Sequence, residues 1–514
     1  MDLSYLYMGE LNRSMNIRGK LVAMADSLRQ EPVGAALLGL VGDSGVYLTG
    51  AVLIGLGNFV LVPLYTRYLA PSEFGVYALV DVAILLLVTV TQLKFDVSYL
   101  KWFAELELSR HGELLSTVLA VGLLASSVGG AVLSAVVLSH AGNASLGATT
   151  QSFGWFLLPL VVCENLQGIL LTDLRARRHA VGYSTVAVCR LFVIVGASYY
   201  LLAMHHQGIR AVFEGRLVGD AAGVLILAVL CLKKIEWKFA SSLLKPMLQF
   251  GLPLIWSVVA VTLQDASGRY FLSRHGSLEQ VGLLGAAIKL GAIFQVLVNN
   301  PFGVAWGGML FQIVKLPNAR MVYSKVFSYV YVLSIGIALI LTVLGPALFR
   351  LFTSPAYFSA SVVLPLILLV RATNVIEQPA STGIYLAGRT GLLSMLYSIS
   401  LGLNLALLYL LVPKYGILGV GWAWLLASAV VPVLMIIWGQ KSYALALNWR
   451  LIVLPLLPWV LVLRRGAWSL ASSSSLGYLI PQLLLCVAIV LGAVVLVLHD
   501  FRMMRRGLRT GNTD

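Results

Sequence analysis

Eight ionisable residues interrupt stretches that are otherwise apolar: the acids Asp81, Glu164, Asp220 and Asp265, and the bases Arg190, Arg216, Lys289 and Arg371. Inside a membrane such groups are expensive, and they face a partner, a cavity or a transport path. Two chemistries follow from their types. Bases without an adjacent acid offset the charge of an anion such as a phosphate or an acidic sugar. Acids in the same interior can hold a coupling proton or sodium ion. Spacing sorts them further: Arg216 and Asp220 lie four apart, as do Asp265 and Arg269, so each pair is expected to neutralise itself along one helix face. Arg190, Lys289 and Arg371 have no such neighbour. Lys289 stands in the middle of GLLGAAIKLGAIFQVLVNN and must face a cavity or an acid from another helix, with Asp81 and Glu164 as candidates. A structural ion pair and an anion-binding cavity are both open readings here. The expected headgroup set is therefore Lys289, Arg190, Arg216 and Arg371, and the expected ion-coupling set is Asp81, Glu164, Asp220 and Asp265.

The elements that position these residues follow from composition. The chain has 514 residues, 59% of them hydrophobic and 11% charged, with a mean hydropathy of +0.90. A soluble domain carries about a quarter charged residues, so this chain belongs in lipid. On a scale of about twenty apolar residues per span, fourteen helices are expected: 43–65, 75–92, 114–138, 153–173, 183–204, 211–232, 246–266, 279–299, 323–345, 357–377, 391–412, 417–437, 450–464 and 478–498. Placing the N-terminus in the cytoplasm puts the connecting Lys and Arg residues inside by roughly three to one. Both termini are then cytoplasmic. This accounts for the formal charge of +15 without nucleic acid. Segment 1–42 reads as a cytoplasmic arm, 43–232 as an N-lobe, 233–245 as a cytoplasmic linker, 246–437 as a C-lobe, 450–498 as an added helix pair and 499–514 as a basic cytoplasmic tail. The longest connections, Lys94 to Glu113 and Pro301 to Val322, are too short to be domains.

Two stretches repeat at an offset near two hundred residues. Arg67-Tyr68, a turn and Ser72-Glu73-Phe74-Gly75 match Arg269-Tyr270, a turn and Ser277 through Gly282. Pro71 and Ser72 can start a helix, and Ser277 with Gln280 has the spacing of a capping box. Gly208-Ile209 likewise matches Gly416-Ile417. The chain thus reads as two six-helix lobes of equal orientation, a transporter signature that places substrate between the lobes. Arg67 marks the first outer hairpin and reads as an interface anchor.

The usual tools of an enzyme are missing from the pattern. There is no Walker A loop or acidic DxD loop, the seven histidines form no cluster, and the four cysteines lie singly in apolar runs. No metal, no cofactor and no catalytic residue is expected. Trp256, Trp306, Trp422 and Trp424 could stack on sugars, although an interfacial belt explains them better.

From Pro63 to Gly75 the chain resembles the Wzx-type oligosaccharide flippases, the polysaccharide transporters of the multidrug/oligosaccharidyl-lipid/polysaccharide superfamily. FGLPLIWSVVAV from Phe250, RYFL from Arg269, EQVGLLGAAIKL from Glu279 and LLVPKYGILGVGWAW from Leu410 carry the same likeness. The resemblance implies an all-α polytopic fold with two lobes in a V-shaped, alternating-access arrangement. It implies export of oligosaccharide repeat units on undecaprenyl diphosphate across the bacterial inner membrane. A cationic lumen in that family suits Arg190, Lys289 and Arg216. Helices 13 and 14 resemble the extra pair of lipid II flippases. The partners implied are the lipid-linked oligosaccharide, membrane lipids and polysaccharide polymerase machinery, with an H+ or Na+ gradient as the driving force. The alternatives are a cation-coupled multidrug exporter, a lipid II flippase and, without catalytic outer loops to support it, a membrane glycosyltransferase.

Overall fold

In lipid each backbone N–H and C=O must be satisfied within its own segment, so long apolar runs become helices. The structure is a computed structural model that describes residues 59–139, 153–231, 236, 238–314, 319–444, 454–456 and 459. The N-terminal arm, most of the first expected helix, part of the linker, most of helix 13, helix 14 and the basic tail lie outside the described residues.

The helical end of the first span covers residues 59–68 (α1). It is followed by α2 (Pro71–Thr91), α3 (Phe95–Glu105), α4 (His111–Ser139), α5 (Leu157–Ala176), α6 (Ala180–Ala203) and α7 (Ile209–Cys231). The second half contains α8 (Ser241–His275), α9 (Leu278–Phe294), α10 (Asn300–Ile313), α11 (Ala319–Phe352), α12 (Leu364–Ala380), α13 (Thr382–Leu386), α14 (Thr390–Tyr415) and α15 (Ile417–Gln440). Among the described residues eight helices are long and apolar enough to cross a membrane, and two bent pairs raise this to ten. The 23-residue α7 is as long but carries Arg210, Glu214, Arg216 and Asp220.

Two expected loops are helical. The connection at Lys94 to Glu113 contains α3, and that at Pro301 to Val322 contains α10. Both are shorter than a span, so a count of twenty-residue apolar runs passes over them. The expected helix 357–377 is a short 3-10 turn (Pro355–Val362) leading into α12, with a bend of 56° between the two segments. A π-turn (Gln295–Asn299) joins α9 to α10, the kind of local unwinding that frequently marks functional sites.

The repeat is visible in three dimensions. Gly208 and Gly416 both adopt positive φ, at 58° and 54°, where they turn the chain into α7 and α15. Only glycine takes up this conformation readily. Each lies against the matching polar residue of the other hairpin position: a Cβ on Gly208 would meet Glu73 Oε1 at 3.3 Å, and one on Gly416 would meet Gln280 Oε1 at 3.0 Å. The expected starts also hold: α2 begins at Pro71, and Ser277 Oγ accepts from the Gln280 N–H at 3.2 Å.

The two halves meet where α2 crosses α9. A Cβ on Gly75 would collide with the carbonyl oxygen of Leu278, and one on Gly282 with that of Pro71. Pro71 and Leu278 each lie four residues before their own glycine, so the crossing is two-fold symmetric. Small residues allow this close backbone approach. Around it Phe74 packs edge-on against Tyr357, whose hydroxyl donates to the Leu69 carbonyl at 3.0 Å. Arg269 is buried and reaches across to the Ala78 carbonyl at 3.2 Å. Its repeat mate Arg67 is exposed.

Candidate functional site

Three glycines on α7 set the site. A Cβ on Gly215 would approach the backbone of Ser198, on Gly219 the Arg190 carbonyl, and on Gly223 the Gln167 amide. At four-residue spacing they bring α6 and α5 close to one face of α7, which places Arg190 beside Asp220 and Glu164 beside Arg216.

Arg216 is the hub. Its Nη1 donates to Asp81 Oδ1 on α2 at 2.7 Å, its Nε to Glu164 Oε1 on α5 at 3.0 Å, and its Nη2 to the same Glu164 oxygen. Asp81 Oδ2 accepts from Lys289 Nζ on α9 at 3.4 Å, and Lys289 also lies 5.0 Å from the centre of the Tyr77 ring. Arg190 Nε donates to Asp220 Oδ1 at 2.6 Å, with Arg190 Nη2 3.7 Å from Glu164 Oε1. Gln167 Nε2 donates to the Asp220 carbonyl at 2.6 Å and ties α5 to α7. One network thus joins α2, α5, α6 and α7 of the first half to α9 of the second.

The expected pairs along single helices are corrected by this arrangement. Arg216 turns away from Asp220 because Glu164 and Asp81 together satisfy more of its five donors than one carboxylate could. Asp220 is taken by Arg190 instead. Arg269 bonds a carbonyl of α2 rather than Asp265. Asp265, half-buried on α8, stands apart from the cluster.

The charges are layered around a cavity of about 560 Å³ between the two halves. Arg190, Arg216, Lys289, Arg371 and Asp81 line it. Glu164 and Asp220 lie behind this wall, with 14% and 0% of their side chains exposed, against 30% for Arg190 and Lys289. The wall therefore presents four bases and one acid. Arg371, one helix away on α12, has an Nε that finds no hydrogen-bond partner among the described residues. Two bases are held firmly by acids, Lys289 by a longer contact, and Arg371 is the least engaged.

A second cavity of about 350 Å³ lies farther along α12. Its wall includes Asn374, Glu377, Gln378, Tyr385 and Tyr397. Glu377 Oε2 accepts from the Tyr397 hydroxyl at 3.0 Å. Glu377 falls at the last residue of the expected helix 357–377 and was not among the sequence candidates. Of the tryptophans, Trp306 and Trp424 are buried core residues and Trp256 is half exposed. Among the described residues no group of three His, Cys, Asp or Glu side chains could hold a metal ion.

Residues 40–314 match the model of the family described as polysaccharide biosynthesis protein. The chain belongs to that family. No curated protein matches it in sequence. Its fold is that of a lipid II flippase, MurJ, in an inward closed conformation, with a TM-score of 0.69 at 14% identity over 90% of this chain and 99% of the other. It also shares the fold of a MATE-family multidrug resistance transporter of the MOP superfamily. The inward-facing form gives a TM-score of 0.61 at 13% identity, over 77% of this chain and 94% of that one. The outward-facing form gives 0.53 at 16% identity, over 78% and 95%. This polysaccharide biosynthesis protein is thus a multi-pass, all-helical membrane protein with a transporter fold, and its solved neighbours are a flippase and transporters rather than enzymes.

Proposed function

We propose that the chain moves oligosaccharide repeat units carried on undecaprenyl diphosphate from the cytoplasmic to the outer leaflet of the bacterial inner membrane. The observation that supports this reading is the cavity wall, which among the described residues offers four bases against a single acid, with the Arg371 Nε without a partner and Lys289 held at 3.4 Å. A diphosphate entering the cavity meets those two first. At an effective dielectric near 20, one unit charge at about 4 Å is worth about 4 kcal/mol, enough to offset much of the desolvation of the headgroup. Arg216 keeps Asp81 paired when Lys289 turns to the substrate, so no acid is stranded. The lipid tail stays in the bilayer while the headgroup crosses between a 43–232 lobe and a 246–437 lobe. Both termini lie in the cytoplasm, the α1–α2 and α8–α9 turns lie outside, and an H+ or Na+ gradient resets the cycle. Polysaccharide polymerase machinery takes the product.

The test is a deletion strain. Its lipids are extracted, polyprenyl diphosphate oligosaccharides are quantified, and the surface polymer is assayed in parallel. Accumulation of a complete repeat unit with loss of polymer, and confinement of that unit to the inner leaflet in an accessibility assay, is the expected result. Unchanged lipid-linked sugars and polymer would overturn the reading and bring drug export forward. Rescue of a lipid II flippase depletion would point to the peptidoglycan precursor instead.

A further inference from the structure

α12 lines two cavities with one face. Arg371, Asn374 and Gln378 are spaced i, i+3 and i+7, so they lie in a row, rising about 10 Å from the first to the last. Arg371 borders the central cavity, and Asn374, Glu377 and Gln378 border the second. The chemistry reverses from the first cavity to the second. Among the described residues no Lys, Arg or His lines the second cavity. Glu377 has one neutral partner, the Tyr397 hydroxyl, so its wall repels phosphate and calls for hydrogen-bond donors.

The aromatic groups decide between a cation and a polyol. A cage for an organic cation needs free ring faces. Trp306 does not supply them, since it stacks on Phe302 at 5.7 Å, packs against Tyr323 at 6.0 Å and is 5% exposed. Tyr385, 40% exposed, lines the cavity. What remains is a set of hydrogen-bonding groups: the Glu377 carboxylate, the Asn374 amide and the Tyr385 hydroxyl. The opposite wall, on α10, has room at Gly307. A Cβ on Gly307 would meet nothing within 4 Å. The π-turn before α10 aims Asn299 at Gln378, whose Nε2 donates to Asn299 Oδ1 at 2.7 Å and so fixes the floor. A volume of about 350 Å³ lies at the small end of ligand sites, which suits one or two pyranose rings.

We propose that this second cavity is a sugar subsite that binds a neutral, hydroxyl-bearing ring of the same substrate whose diphosphate rests at Arg371 and Lys289. The inference depends on the flippase reading for its substrate and on the Glu377 cavity for its selectivity. Neutral rings donate hydroxyls to Glu377 and exchange hydrogen bonds with Asn374. Uronic acids are rejected by the Glu377 carboxylate, which no base among the described residues neutralises.

The experiment uses the purified full-length protein in nanodiscs, with saturation-transfer NMR for the sugars and phosphorus NMR line broadening for pyrophosphate. The probes are glucose, galactose, N-acetylglucosamine, glucuronate and inorganic pyrophosphate. The variants are Glu377→Gln, Gly307→Leu and Arg371→Gln. Gly307→Leu fills the cavity at a position with room for its side chain, so it serves if Glu377→Gln fails to fold. At least one neutral sugar should give a signal with the wild type that falls tenfold or more in Glu377→Gln and Gly307→Leu and persists in Arg371→Gln. Pyrophosphate should show the reverse pattern. Glucuronate should bind only to Glu377→Gln. A neutral-sugar signal that is absent from the wild type, or that survives both cavity variants, overturns the subsite. The deletion strain separates the two readings: accumulated lipid-linked oligosaccharide with no Glu377-dependent sugar binding sinks the subsite alone. Glu377-dependent binding without accumulation sinks the flippase reading and leaves a sugar site.

Discussion

Replacing Gly282 with alanine tests whether the α2–α9 crossing is a gate. The added methyl points at the Pro71 carbonyl oxygen, with the Gly75 nitrogen 2.9 Å away. Both are backbone atoms, so no side-chain rotation makes room and the helices must separate. Overpacking of this kind costs about 1–3 kcal/mol. If the crossing exists only while the proposed outer side is closed, the whole cost falls on that state. A shift of 1–3 kcal/mol corresponds to about 5–150-fold in the ratio of states. An open form populated at about 1% would rise to about a quarter at 2 kcal/mol. The assay is labelling of Ala292→Cys, on the cavity wall, by a membrane-impermeant maleimide in a background without native cysteines. Labelling from the face of the α1–α2 turn should accelerate by at least fivefold in Gly282→Ala. The double variant with Gly75→Ala should add less than the sum, because both methyls open one contact. Unchanged labelling at unchanged protein level would show that the crossing does not separate during the cycle, and the gate argument would fail.

Other substitutions follow from the ion network. Lys289→Ala should abolish polysaccharide export at normal protein level, because Asp81 keeps Arg216 at 2.7 Å; immunoblotting alongside the polymer assay checks both halves. Arg216→Met should instead lower stability by about 3–5 kcal/mol, since it leaves Glu164 without its main partner in a buried site; thermal unfolding in detergent would show this, and an unshifted transition would contradict the hub assignment. Asp173→Ala should be similarly costly. Its side chain is fully buried, accepting from Tyr99 at 2.7 Å and Arg177 at 2.9 Å, and it pins α3 to α5. Gly416→Ala should destabilise by about 1–3 kcal/mol, because φ 54° with ψ −128° is a backbone region that glycine alone enters readily, whereas Gly402→Ala, with nothing within 4 Å of the new methyl, should be neutral or stabilising.

The membrane class and the repeat were legible in the residues themselves. Apolar run length determines spans, and turn chemistry at Pro71, Ser277, Gly208 and Gly416 is local, so the sequence carries it directly. Arg190, Arg216, Lys289 and Arg371 could be picked out because a charge in an apolar run is conspicuous. Their partners could not, since Arg216 chooses Glu164 and Asp81 from helices 52 and 135 residues away. Spacing along one helix pointed to Asp220, but the glycine row on α7 turns that face toward α6. Helices α3 and α10 escaped because they are too short to register as spans. Glu377 escaped because its significance lies in having no base near it, a property of the packed cavity.

The symmetric crossing has a consequence for ancestry. Gly75 rests on the carbonyl four residues before Gly282, and Gly282 rests on the carbonyl four residues before Gly75. That is the geometry of an isologous interface between two identical subunits, here held within one polypeptide. In a half-length ancestor that paired with itself, one glycine would have served both sides of the contact. Joining the copies freed the two sides to diverge, which is what Arg67 and Arg269 display: the same residue at matched positions, one left in the open and the other turned inward to bind its neighbour's backbone.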